Sequence, residues 1–134
     1  MYYITDAHAL LWHLYWPQRV GRAAQRVFSG ADAGQECIYV PAVVVAEMLM
    51  VVQKGRLLGA SLDHLLPHLQ AMAERDNYPL SPLFPETVIA SHQYTIIPDI
   101  FDRLIVTETI SRGVPLVTRD PVIRQSGLIS TIWD

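Results

Sequence analysis

Four acidic residues, Asp6, Glu47, Asp102 and Asp120, are candidates for shared chemistry. Asp6 closes the β-rich run YYIT, and Asp120 closes VPLVT in the stretch VTRDP. Asp102 follows Asp99 by three at the front of an apolar helical run, in PDIFDRLIVTE. Taken singly, each aspartate reads as a helix cap. Asp120 precedes Pro121 in the cap-then-proline order, and Asp99 with Asp102 resembles a capping box. The two roles are compatible, because a capping carboxylate is ordered and kept ionised, as a metal ligand must be.

Glu47 is harder to assign to local structure. Its neighbours three and four residues away are Val43, Val44, Met50 and Val51, and every other residue from 42 to 52 is apolar. A helix apolar all round is expected to be buried. An ionised carboxylate there costs several kcal/mol unless it is paired or bound to metal. Arg103 and Arg119 are candidate partners, and a protonated Glu47 is the other way out. Carboxylates converging at low dielectric repel one another, and a divalent cation removes that conflict. Carboxylate and water ligation suits Mg2+ or Mn2+ rather than Zn2+. Such a cation can bind a phosphodiester oxygen and activate water for in-line attack.

Composition sets the frame for these residues. A chain of 134 residues that is 51% hydrophobic and 17% charged is expected to fold as one domain, 1–134, around one core. The longest apolar stretch, PAVVVAEMLMVV, is too short to cross a membrane and carries Glu47. The opening MYYITDAHALLWHL has no basic segment and meets Asp6, so it does not read as a signal peptide. A single cysteine, Cys37, fits a reducing cytoplasm. The net charge of −3 does not advertise a nucleic-acid binder. A bound metal would supply the positive charge that meets a phosphate.

Short strands alternate with longer helices. Strands are expected at 2–5, 37–40, 77–81, 114–118 and 128–133. Helices are expected at 7–16, 19–29, from Pro41 to about Gln53, 61–75 with a kink or break at Pro67, 85–93 and 100–112. Ser61 is placed to cap its helix, and Gly113 to end the 100–112 helix. This alternation predicts an α/β fold with a parallel sheet covered on both faces. Ligands of such sheets bind at the carboxyl ends of the strands, where Asp6 and Asp120 fall.

Read together, ITDAHALLW, VVVAEMLM, DIFDRLIVTE and PLVTRD resemble the four acidic motifs of PIN-domain nucleases. They are most similar to the toxin ribonucleases of bacterial VapBC toxin–antitoxin pairs. The resemblance spans essentially the whole chain, and DIFDRLI is its most specific part. It implies a three-layer α/β/α domain with a central parallel sheet of four or five strands. It maps Asp6, Glu47 and Asp102 onto metal-binding acids and Asp120 onto a fourth, more variable one. Asp99 maps onto a more structural position. It further implies Mg2+- or Mn2+-dependent hydrolysis of RNA, homodimerisation and a cognate antitoxin. Two positions depart from the family pattern. Ala7 stands where Thr or Ser is usual, removing a hydroxyl that could hold a metal-bound water. Ile100 replaces a usual Pro, which a helix start tolerates.

Arg103 and Arg119 each adjoin a proposed ligand and are candidates for substrate phosphate or for structural ion pairs. His8 could touch metal or substrate, or serve locally. His64 and His68 have zinc-like spacing, but Pro67 intervenes and no third ligand is near. Trp12, Trp16 and Trp133 read as core or interface. A PIN-like module that binds RNA or protein without cutting is the alternative, with Ala7 as its support. A phosphotransfer enzyme with an Asp after the first strand is disfavoured. One such class needs a second Asp where His8 stands, and the other needs a late Lys that this chain lacks.

Overall fold

The computed structural model describes residues 1–134. Five parallel strands form one sheet: β1 (Tyr2–Thr5), β2 (Cys37–Pro41), β3 (Leu80–Ser81), β4 (Leu116–Val117) and β5 (Thr131–Ile132). Their order is β3-β2-β1-β4-β5. Seven helices make this a three-layer α/β/α structure, as the alternation predicts. They are α1 (Ala7–Tyr15), α2 (Arg22–Asp32), α3 (Ala42–Gln53), α4 (Leu62–Ala73), α5 (Pro85–Ala90), α6 (Ile100–Arg112) and α7 (Pro121–Gln125). A core of 30 residues includes Ile4, Ile38, Leu116 and Val117 from the sheet. No helix is long and apolar enough to cross a membrane.

Several elements differ from expectation for local reasons. The strands β3, β4 and β5 are shorter than the runs that mark them. Pro79, Pro82 and Pro115 flank β3 and β4 and have no N–H to give a ladder. The second helix starts at Arg22 rather than 19, because Pro17 begins a separate 3-10 turn, Pro17–Arg19. Gly21 caps that start where a Cβ would meet the Trp133 carbonyl oxygen at 2.2 Å, so only glycine lets the two backbones approach. The fourth helix passes through Pro67 unbroken, with Leu65, Leu69 and Met72 packed into the core. The 85–93 helix divides into α5 and a 3-10 turn, Ser91–Gln93. The short α7 was not among the expected helices, although the Asp120–Pro121 cap marks its start. Gly113, at φ 65°, ends α6 as expected.

The strand order places the site. From β1 the chain moves outward through β2 and β3, then returns to β4 on the other side of β1 and on to β5. Between β1 and β4 the direction of winding reverses, which opens a crevice at the strands' carboxyl ends. Asp6 follows β1, and Thr118, Arg119 and Asp120 follow β4.

Candidate active site

A cleft of about 730 Å³ opens at that reversal point. Six carboxylates line it: Asp6, Glu47, Asp99, Asp102 and Asp120, which arrive from the N-terminal ends of α1, α6 and α7 and from the middle of α3, and Asp134 after β5.

Three of the acids are held by the capping bonds read from the sequence. Asp6 Oδ1 accepts from the Ala9 N–H at 2.9 Å. Asp99 Oδ1 accepts from the Asp102 N–H at 3.0 Å. Asp120 Oδ1 accepts from Val122 and Ile123 N–H at 2.8 and 3.1 Å. Capping uses one oxygen in each case and fixes the carboxylate's direction. Asp102 and Glu47 make no side-chain hydrogen bond or salt bridge to any protein group. Neither Arg103 nor Arg119 pairs with Glu47, so the paired alternative for that residue does not occur. The helix α3 is not buried all round either. Ala46 is exposed and Glu47 half-buried where this face meets the cleft.

The electrostatics follow from this arrangement. Burial raises the Glu47 carboxyl to about 7, and the charges of Asp6, Asp99 and Asp120 add to the effect. Burial likewise raises Asp102 to about 7, helped by Asp99, Asp120, Glu47 and Asp6. Asp6 is also pushed up by burial, against the opposing pull of the Thr118 hydroxyl, the Ala9 N–H and His8. The acids are thus destabilised first by burial and then by one another. As they stand, no three His, Cys, Asp or Glu side chains are close enough together to hold a metal ion.

Thr118 is a site residue the sequence reading missed. Its fully buried hydroxyl donates to Asp6 Oδ2 and accepts from the Asp120 N–H at 3.0 Å. The hydroxyl beside Asp6 thus comes from the neighbouring strand's end. Ala7 is wholly buried, and Thr5 turns its hydroxyl to the Asp6 carbonyl. His8 lines the cleft, as do Trp12, Trp133, Arg124 and Asp134. No local pattern marked the last four, since strand order is what brings them there. The two arginines beside the proposed ligands diverge. Arg119 lines the cleft, exposed, with its guanidinium 5.1 Å from the Trp12 ring. Arg103 turns away, and its Nε donates to the Ile97 carbonyl at 2.9 Å. His64 and His68 lie elsewhere on α4, where His64 bonds the Tyr15 hydroxyl at 2.9 Å.

Comparison with known structures adds to this picture. The chain has a PIN-like fold. It is similar in structure to VapBC2 from Rickettsia felis, solved bound to a DNA fragment from the promoter. That match covers 100% of both chains at a TM-score of 0.71 and 15% identity. It is also similar to PAE2754 from Pyrobaculum aerophilum, over 98% of this chain and 83% of that one, with a TM-score of 0.64 and 15% identity. No family model and no curated protein matches the sequence. The PIN-like fold is therefore shared without detectable sequence relationship.

Proposed function

We propose that this chain is a Mg2+- or Mn2+-dependent endoribonuclease, the toxin of a toxin–antitoxin pair. The observation that carries the reading is the cleft itself. Asp6, Glu47, Asp102 and Asp120 come from four separate elements to one crevice, and no internal cation pairs with any of them. The donor set fits a hard divalent ion, because it is all oxygen and unites no Cys or multiple His. The metal-ligand roles fall to Asp6, Glu47, Asp102 and Asp120, with Asp99 beside them.

When bound, the cation would supply Lewis-acid polarisation of a phosphodiester and a water of lowered pKa. The protein's own residues do the rest. Asp6 and Asp120 are aimed by their capping bonds and tied together through Thr118. Glu47 and Asp102, which burial and neighbouring carboxylates push up in the metal-free protein, would be held ionised by the cation's charge. Arg119, free of any carboxylate, sits on the rim to meet phosphate. The VapBC2 neighbour supports an antitoxin partner, and the proposal extends to a homodimer acting in the cytoplasm.

The test is a Mn2+ or Mg2+ titration of the purified protein against a mixed pool of structured RNA, beside Asp102→Asn. Metal-dependent products that vanish in the variant support the reading. If Asp6→Asn and Asp102→Asn cut RNA as fast as the parent protein, the reading fails. One observation favours the alternative of a non-catalytic module, namely that the acids do not converge as they stand. That module would bind RNA or a protein partner with no metal dependence and no product.

A further inference from the structure

The net charge of −3 hides an uneven distribution. Five of the nine arginines lie along one flank of the acidic cleft: Arg19, Arg22, Arg26, Arg119 and Arg124. Arg119 and Arg124 line the cleft itself. Arg22 and Arg26 line a smaller recess next to it, and Asp134 belongs to both walls. Gly21, at the head of α2, abuts Trp133 of the cleft and fixes the recess beside it. Arg19, three residues before Arg22, has its guanidinium 4.9 Å from the Trp16 ring and 6.0 Å from the ring of Trp12, which lines the cleft.

All five arginines are exposed. Only Arg124 has a carboxylate partner, Asp134 at 3.0 Å, and that acid is itself 80% exposed. Arg22 and Arg26 stand one turn apart on α2, a like-charged pair that weakens a helix slightly. Asp134, the one acid lining their recess, is paired with Arg124, and neither Arg22 nor Arg26 forms a salt bridge. Their charge is therefore left for a ligand that carries regularly spaced negative charge. The indoles of Trp12 and Trp16, both half-buried, lie among the arginines. Cationic guanidiniums interleaved with aromatic rings fit a polynucleotide whose bases are free to stack. A duplex keeps its bases inside and offers only its backbone.

We infer that this arginine–tryptophan flank is the track for a single-stranded RNA, leading from the recess of Arg22 and Arg26 past Trp16 and Trp12 to the acidic cleft. The inference rests on the ribonuclease reading and deepens it by naming the residues outside the acidic cleft that hold the substrate. The carboxylates of the cleft repel a polyanion, so the strand must be held by cations beside them. The flank supplies them for the phosphates that flank the scissile one.

The test is binding of a short single-stranded RNA to the full chain in the Asp102→Asn background, across a salt series, with and without Arg22→Gln/Arg26→Gln. A duplex of the same sequence is measured alongside. The double substitution is expected to weaken single-strand binding about 10-fold or more. It should also reduce the slope of log affinity against log salt by about 1.4, two phosphate contacts at about 0.7 each. Thermal stabilisation by Mn2+ in the Asp102-intact protein should be unchanged by it. Quenching of tryptophan fluorescence by the single strand, and not by the duplex, is expected as well. Unchanged affinity and slope in the double variant would overturn the track. Equal or tighter binding of the duplex would overturn the single-strand assignment. Cleavage by the parent protein is followed in parallel. If RNA binds along the flank but is never cut, the nuclease reading falls and the track stands. Normal cleavage with unaffected binding removes the track alone.

Discussion

Two regions of this molecule bury acidic side chains, and they treat them in opposite ways. Glu108, 7% exposed on α6, accepts from the Ser81 hydroxyl at 2.6 Å and from Arg112 Nε at 3.0 Å. Arg112 in turn lies 3.9 Å over the Tyr39 ring. Every charge there has a partner within the fold. At the other end of the same helix, Asp102 shares a cleft with Glu47, Asp6, Asp99 and Asp120 and pairs with no arginine. A buried acid with a structural role brings its own cation. Asp6, Glu47, Asp102 and Asp120 form no salt bridge, although Arg119 and Arg124 line the same cleft, and under the proposed function a cation would complete them.

Substitutions can break this contrast, and the largest effect is catalytic. Asp102→Asn is expected to lower metal-dependent RNA cleavage by about 100-fold or more, since it removes a proposed ligand outright. Glu108→Gln should leave cleavage per folded molecule unchanged. Initial rates on one RNA substrate, normalised to folded protein, decide the matter.

Next in size is stabilisation by metal. Mn2+ at about 100 times its dissociation constant should add about 2.7 kcal/mol of stability to the parent protein. In Glu47→Gln and Asp102→Asn most of that gain should disappear, whereas Glu108→Gln keeps it. Thermal melts with and without Mn2+ measure this directly.

Without metal, the two regions should respond with opposite sign. Glu47→Gln removes a repelled charge and should raise the melting temperature at pH 8. Glu108→Gln leaves Arg112 without its carboxylate and should cost about 1–3 kcal/mol. A lowered melting temperature for Glu47→Gln would show that its charge is compensated by something in the protein.

A pH series sharpens the same point. Glu47 and Asp102 sit at about 7 in the fold, against ordinary values of 4.5 and 3.8. The folded chain therefore holds protons that the unfolded chain has released. Stability contributed by these groups falls as pH rises from about 4 to about 7, and levels off above that. Metal-free melting temperatures should follow this course in the parent protein. The Glu47→Gln/Asp102→Asn double variant should show a flatter profile.

The smallest effect concerns Thr118. Thr118→Val removes the hydroxyl that links Asp6 to Asp120, at a cost of about 1 kcal/mol. Cleavage should fall by about 10-fold while Mn2+ still binds. Its measurement is kcat beside a Mn2+-dependent melt.

What the sequence determined by itself was local. Asp6, Asp99 and Asp120 cap α1, α6 and α7, Ser61 caps α4, and Gly113 ends α6. These are contacts between residues two to four apart, so the order of residues is enough to specify them. Alternating strand and helix patterns likewise specified a parallel α/β sheet. The four acids were legible because three stand at element boundaries and the fourth interrupts an apolar helix. Tertiary structure alone decided the rest. Thr118 reaches Asp6 across 112 residues because β4 lies beside β1. Arg103 turns back to the Ile97 carbonyl while Arg119 enters the cleft, although both adjoin a proposed ligand. The basic flank joins a turn after α1, the head of α2, and the segment from the end of β4 into α7. Such neighbours are set by strand order and by which helix face meets the sheet, and no spacing along the chain encodes either.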